Sequence, residues 1–351
     1  MADSGEMARL AREIAEQVLF PAAVAVDRAA EIPAGHLDRL AAAGLYGAAG
    51  PLDAGGLDLD LPGFCAVIEA LAGGCLATTF VWLQHHGAVR AVAGAPAALR
   101  EEWLVPLCGG ARRAGVALAG AMPGPPKLRA EPAGDGWRLT GTAPWVTGWG
   151  MVDILHVVAR GPDDTLVQLL LDATARPGLV ARRQHLVAVD ASVTVELEFT
   201  DLHVDGSRLL KTAPFTTGPA GPVHRVNASL ALGLIARCRR LIGPSTLDDQ
   251  VTACRDALDA AVADEAGGRM AAARAATSAL AVRAAAATVA HLGSRSLLPD
   301  QHPQRLAREA TFLLVFATRP PIRTALLTTL LTPDPVNQAV PAATRSASRR
   351  R

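Results

Sequence analysis

The residues best placed to do chemistry lie mid-chain, in Gly141-Thr142-Ala143-Pro144-Trp145-Val146-Thr147-Gly148-Trp149-Gly150, followed by the apolar run Met151–Ala159. Two of the five tryptophans fall here, in a chain only 4% aromatic. On a strand, Trp145 offers a flat apolar face, and Thr147, two residues on and on the same side, offers a hydroxyl that donates or accepts. That pair suits a planar heteroaromatic ligand such as a flavin. The alternative is a tryptophan packed in a β-core.

Acid–base and anion-binding candidates stand elsewhere. Gln84-His85-His86-Gly87 ends a helix. Adjacent histidines diverge on a helix, so they are not a metal pair; they read as buried hydrogen-bonded groups, or His86 faces a pocket as an acid/base. His224 and Arg225 begin a helix, as interface residues or at a substrate channel. Pro303 after His302 marks a helix entry, and Glu69 reads as a partly buried hydrogen-bonding residue within a helix. Arg319 could bind a carboxylate or phosphate, or stand exposed. No Asp or Glu occurs between Asp205 and Asp248. Five cysteines (Cys65, Cys75, Cys108, Cys238, Cys254), odd in number and never spaced Cys-x-x-Cys, read as reduced thiols with no zinc site and no disulfide framework.

At 351 residues the chain has room for two or three domains. It is 50% apolar and 19% charged, an ordinary soluble composition, and its net charge of +1 gives no reason to expect nucleic acid or an anionic membrane as partner. No uninterrupted apolar run reaches the ~18 residues of a membrane span. The first residues lack the basic and apolar regions of a signal peptide, so the expected location is cytoplasmic.

The elements that must position these residues change period twice. Residues 3–20 are amphipathic through Met7, Leu10, Ile14 and Val18, with Ser4 as the expected N-cap. Further helices are expected over 33–43, stopped by Gly44, from Pro62, and over 75–93 and 97–108. From Arg112 short β-rich runs follow, at 115–120, 137–142, 153–159, 165–171 and 193–199. Val193, Val195, Leu197 and Phe199 alternate with polar residues, as a half-buried antiparallel strand should. After Pro222 helices return, over 224–241, 247–289 (one long or two shorter), 304–316 and 322–331. The reading is α+β: a helical domain 1–112, an antiparallel β-domain 113–215, a helical bundle 216–332 and a disordered tail 333–351.

In that order the architecture resembles the acyl-CoA dehydrogenase family. The stretches "IPAGHLDRLAAAGLYGAAGPLDAGGLDLDLPGFCAVIEALA", "GDGWRLTGTAPWVTGWGMVDILHVVAR", "ASVTVELEFTDLHVDGSRLL" and "RLAREATFLLVF" are similar to that family's N-terminal pattern, flavin-covering strands, later strand and Arg-rich helix. The resemblance implies FAD as cofactor, with Trp145 and Thr147 on the isoalloxazine. It also implies an acyl substrate on CoA or a carrier protein, and a homodimer or homotetramer.

The reaction of that family needs a carboxylate base to take the α-proton while the flavin accepts hydride. Counting from Arg308-Glu309-Ala310, the expected Glu position is Ala317. The second usual site, at the helix beginning near His224, also lacks an acid. The diphosphate-binding motif is replaced by "GPSTLDDQ", and the Gln-x-x-Gly-Gly segment by "AHLGSRS", leaving Gly293 and Ser294, with Arg295, as cofactor-binding candidates. His86, His224 and Arg225 are the remaining candidates for catalysis. Three functions follow: an acyl-CoA dehydrogenase-type flavoenzyme with a replaced base, a flavin-dependent monooxygenase of the same fold, or a catalytically silent subunit completing the site of a paralogous partner.

Overall fold

The structure is a computed structural model, and it describes residues 3–216, 220–264 and 267–332. The tail expected over 333–351 lies outside the described residues.

The first helix, α1 (Ser4–Ile14), is capped by Asp3 instead of Ser4: the Asp3 carboxylate accepts the Gly5 N–H at 2.9 Å. A five-residue π turn, Ala15–Leu19, joins it to α2 (Phe20–Arg28). The turn ends two residues before Pro21, which has no N–H to give and crowds the carbonyl four residues back, within the turn; the wider π turn absorbs that mismatch. Then come α3 (Ala34–Ala42), α4 (Leu61–Ala72), α5 (Leu76–Ala93) and α6 (Ala97–Cys108). Gly44 stops α3 at φ 72°, and Asp60 caps α4 by accepting the Gly63 N–H at 2.9 Å. Helix α5 is buried nearly all round, with Phe80, Val81, Trp82 and Leu83 all in the core. It is the element on which the other parts of the chain lean.

The strands are β1 (Ala114–Ala117), β2 (Leu128–Ala133), β3 (Gly136–Val146), β4 (Ile154–Arg160), β5 (Thr165–Asp172), β6 (Leu179–Arg183), β7 (Val195–Val204) and β8 (Leu209–Pro214). They form one sheet in the order β6-β7-β3-β2-β4-β5-β8, with β1 added on β4. The expectation of an antiparallel domain is corrected to a mixed sheet. Strand β1 runs parallel to β4, Ala114 opposite Ile154, and β2 meets β4 in a parallel pair at Arg129 and Arg160. Parallel neighbours need a long crossover, and the β2–β3 hairpin supplies it. Every residue of β4 is buried, as a strand covered on both faces should be. Strands β2, β6 and β8 escaped the sequence reading because they are short and carry charges at Arg129, Glu131, Arg182, Arg183 and Lys211; pairing holds them.

The C-terminal helices are α7 (Gly221–Ile242), α8 (Leu247–Ala260), α9 (Gly268–Leu292), α10 (His302–Val315) and α11 (Pro320–Leu331). Two helices, not one, cover 247–289, because Gly267 at φ 73° breaks the run. Alanines 271, 273, 275, 279, 281, 284 and 285 of α9 are buried, and their small size lets helices approach closely. Among the described residues the segment Gly268–Leu297 is the one helix long and apolar enough to cross a bilayer by length and composition, and half of its apolar window is buried inside the molecule.

The contact between α4 and α7 is tighter still. A Cβ at Gly233 would stand 2.5 Å from the Glu69 carbonyl oxygen and 2.7 Å from the Ala72 Cβ. Gly233→Ala is therefore expected to destabilise the protein by about 1–3 kcal/mol, measured by denaturant unfolding, since neither backbone can give way.

Candidate functional site

At the end of β3 the strand is not regular. Its pairing with β7 slips between Ala143 and Val146, and Trp145 sits at φ 62°, a left-handed conformation rare for a large side chain. The twist ejects the ring: Trp145 is 61% exposed while Pro144 and Val146 on either side are buried. Thr147 is only 2% exposed. The expected same-face pair is thereby corrected, because the left-handed residue breaks the two-residue alternation. What remains is an open indole face beside a buried hydroxyl chain, Thr147 Oγ1 at 3.4 Å from Thr194 Oγ1 and that atom 3.0 Å from Ser192 Oγ. The Gly148 N–H donates to the Ser192 carbonyl at 2.8 Å and pins this strand end to the loop before β7.

Helix α5 links the strand end to the C-terminal helices. A Cβ at Gly148 would meet Val81 at 3.2 Å, so strand end and helix touch. One residue earlier, the Phe80 ring packs edge-on against Phe312 at 5.2 Å and Phe316 at 5.1 Å. Ala317 follows, at φ 51°, closing α10 with a left-handed residue. Its methyl group cannot move a proton. Ala317→Gly relieves that conformation and is expected to raise stability by about 1 kcal/mol in thermal unfolding, less the entropy glycine adds to the unfolded chain.

Arg274 of α9 lies beneath this turn. It is 3% exposed, and its Nη1 and Nη2 donate to the carbonyls of His224 at 3.2 Å and Phe316 at 3.1 Å. Burial lowers its pKa to about 10, which leaves it protonated at neutral pH. His224 is held neutral, its pKa drawn down to about 4 first by burial and then by the charges of Arg274 and Arg319. Arg319 reaches from the far side of the turn to the Met122 sulfur at 3.8 Å. The Met122 turn is held in its own right by buried Arg160, which donates to the Ala121 carbonyl at 3.1 Å and lies over the Phe215 ring.

The structure thus brings His224 to the Ala317 turn but gives it company that weakens it as a base. The other catalytic candidates fall away. Arg225 is buried in an ion-pair network with Asp259 at 2.5 Å and Glu69 at 3.3 Å, and Arg255 joins Glu69 at 2.7 Å, so these residues tie α4, α7 and α8 together. His86 is fully buried among Phe64, Trp82 and His85, with neither ring nitrogen hydrogen-bonded, and burial holds it well below its ordinary pKa. His302 stacks on Phe20 at 4.0 Å as a helix entry. Gly293 ends α9 at φ 60° and is exposed with Ser294 and Arg295; among the described residues no hydrogen bond joins them to Trp145 or Thr147. No group of three metal-ligating side chains occurs among the described residues.

Arg274 was missed in the sequence. Its signal was there: a lone cation on an alanine face, three residues after Ala271 and four before Ser278, both buried.

Residues 2–111 match the family "Acyl-CoA dehydrogenase, N-terminal domain". Among curated relatives, the short-chain specific acyl-CoA dehydrogenase of Bos taurus mitochondria is 25% identical over 209 residues, 57% of this chain and 51% of the relative. The chain thus spans about half the length of that relative in the match. Among solved structures, butyryl-CoA dehydrogenase from Megasphaera elsdenii superposes with a TM-score of 0.78 at 18% identity, covering 95% of this chain and 99% of that one. An FAD complex of PigA superposes with a TM-score of 0.77 at 17% identity, covering 94% and 98%. The first domain thus matches the acyl-CoA dehydrogenase N-terminal domain in sequence, and the chain as a whole shares the fold of solved acyl-CoA dehydrogenases.

Proposed function

We propose that the protein is an FAD-dependent oxidoreductase acting on an acyl thioester, carried on CoA or on a carrier protein, without the usual carboxylate base. The observation that carries this reading is the Trp145 indole, held open to solvent by a left-handed turn beside the buried Thr147 hydroxyl. A left-handed tryptophan costs on the order of 1–2 kcal/mol, and a cost of that kind persists where a ligand uses the geometry. A flavin ring fits that indole face, and the buried Thr147–Thr194 hydroxyl pair holds the strand end behind it. Bound there, FAD would supply the hydride acceptor. The likeness to butyryl-CoA dehydrogenase and to an FAD-bound relative supports the cofactor and the substrate class.

The test is the visible spectrum of the purified protein before and after adding FAD. Bands of oxidised flavin are expected, with affinity reduced about tenfold or more by Trp145→Ala, the order of loss for a truncated aromatic anchor. A colourless protein that takes up no FAD overturns the reading.

A second reading, a silent subunit completing a partner's site, is favoured by the Ala317 turn, where two guanidinium groups stand and, among the described residues, no carboxylate pairs with either. Anaerobic bleaching by acyl thioesters separates it from an active dehydrogenase, and oxygen consumption with a reductant separates both from a monooxygenase. Exposed Val223, Leu297, Leu298, Val315 and Leu331 suit the homodimer or homotetramer we propose, and light scattering tests it. A cytoplasmic location is proposed from the unpaired thiols, four of them buried.

A further inference from the structure

Five arginines are buried among the described residues: Arg160, Arg225, Arg237, Arg274 and Arg305. Four have a carboxylate in contact, from Asp164, Asp259 and Glu69, Glu16, and Glu309 respectively. Arg274 has none within 4.0 Å among the described residues; two backbone carbonyls take its outer nitrogens, and its Nε is buried without a partner. Arg319, half-buried two residues past Ala317, forms no ion pair with any described residue either; its one side-chain hydrogen-bonding contact among them is the Met122 sulfur. His224, between them in charge, has a buried Nδ1 with no partner. Burying a charge without a counter-ion costs several kcal/mol, and the two carbonyls that Arg274 meets, one of them at the C-terminus of α10, offset only part of that.

The sign of the charge matters here. The turn at Ala317 is where the resemblance places a carboxylate, and here it faces two cations. We infer that this place binds an oxyanion of the bound ligand, of the carboxylate or phosphate class, with Arg274 beneath it and Arg319 across it. This rests on the flavin and thioester reading above. The oxyanion has two possible sources, a carboxylate on the acyl part of the substrate or the diphosphate of the flavin. A guanidinium recognises both by the same paired hydrogen bonds.

The test uses the full chain with flavin and two CoA thioesters that differ only in the acyl terminus, glutaryl-CoA and valeryl-CoA, each titrated by the change in the flavin spectrum. Preference for glutaryl-CoA by about tenfold or more is expected, as a charge-assisted pair provides, and Arg319→Gln should abolish most of it. Arg274→Gln should do the same; because Arg274 also holds two backbone carbonyls, that variant is liable to unfold, and Arg319→Gln then carries the test alone. If the two thioesters bind alike, while Arg319→Gln weakens FAD about tenfold and leaves riboflavin unchanged, the oxyanion is the diphosphate and the inference stands with that source. If the thioesters bind alike and the variant changes neither ratio, the inference is overturned and the flavin reading survives. If no flavin and neither thioester binds, that reading fails, and this inference with it.

Discussion

Arg305→Met is expected to remove about 3–5 kcal/mol of stability, a large share of the roughly 5–15 kcal/mol typical of a folded protein. Arg305 and Glu309 lie one turn apart on α10, and the Arg305 Nη1 donates to both Glu309 oxygens at 2.7 Å. Both side chains are buried, at 2% and 4% exposure. Burial pushes the Glu309 carboxyl up, and Arg305 opposes that shift. Removing the arginine strands the acid in an apolar bundle beside Cys75 and Cys238, so it protonates or the helix leaves its place. The second expectation separates pair from packing: Arg305→Met combined with Glu309→Met should recover most of the loss, because two well-packed apolar chains replace an ion pair at little cost. Denaturant unfolding of the two variants decides it. Equal destabilisation in both would show that shape matters at this site and charge does not.

The protein should also lose stability steeply between about pH 6.5 and pH 4.5, before most carboxylates titrate. Burial draws the pKa of His85 down to about 3 and that of His156 to about 4. The geometry agrees: the His85 Nδ1 accepts the Ala114 N–H at 3.1 Å, which needs an unprotonated nitrogen, and His156 Nε2 lies 3.1 Å from the Gln168 side-chain oxygen. The unfolded chain takes up these protons near its ordinary pKa of 6.5, and the folded chain refuses them. The folded state therefore has its full histidine-linked stability above that value and loses it as pH falls. Each histidine removes about 1.4 kcal/mol per pH unit, so these two alone remove about 5 kcal/mol across two units, and His86, His224 and His302, lowered likewise by burial, add to the loss. Unfolding free energies measured at intervals through this window check the slope, and His85→Gln should reduce it by one histidine's share, about 1.4 kcal/mol per pH unit. A flat profile down to about pH 5 would count against buried neutral histidines.

The fold was legible in the sequence to a large degree, for physical reasons. The change from helical to alternating periodicity near Arg112, and back after Pro222, marks where burial switches from a stripe to a face, and the helices end at Cys108 and resume at Gly221. Parallel pairing of β1 with β4 was not legible, since alternation says which face is buried and not which neighbour a strand meets. The candidate site was legible only in part. Residue types named Trp145, Thr147 and the empty position at Ala317. The assumption of an even strand then put Trp145 and Thr147 on one face, which the left-handed turn prevents.

By itself the sequence determined most of the helices and the longer strands, the aromatic–hydroxyl motif and the absence of an acid where one is expected, because those depend on local pattern and residue identity. Only the tertiary structure decided which candidates meet. It buried His86 in a core, tied Arg225 to Glu69 and Asp259, and set the unmentioned Arg274 under the Ala317 turn beside His224. An arginine's meaning depends on whether a carboxylate lies within reach, and for residues 50 and 42 positions apart in the chain only packing sets that distance.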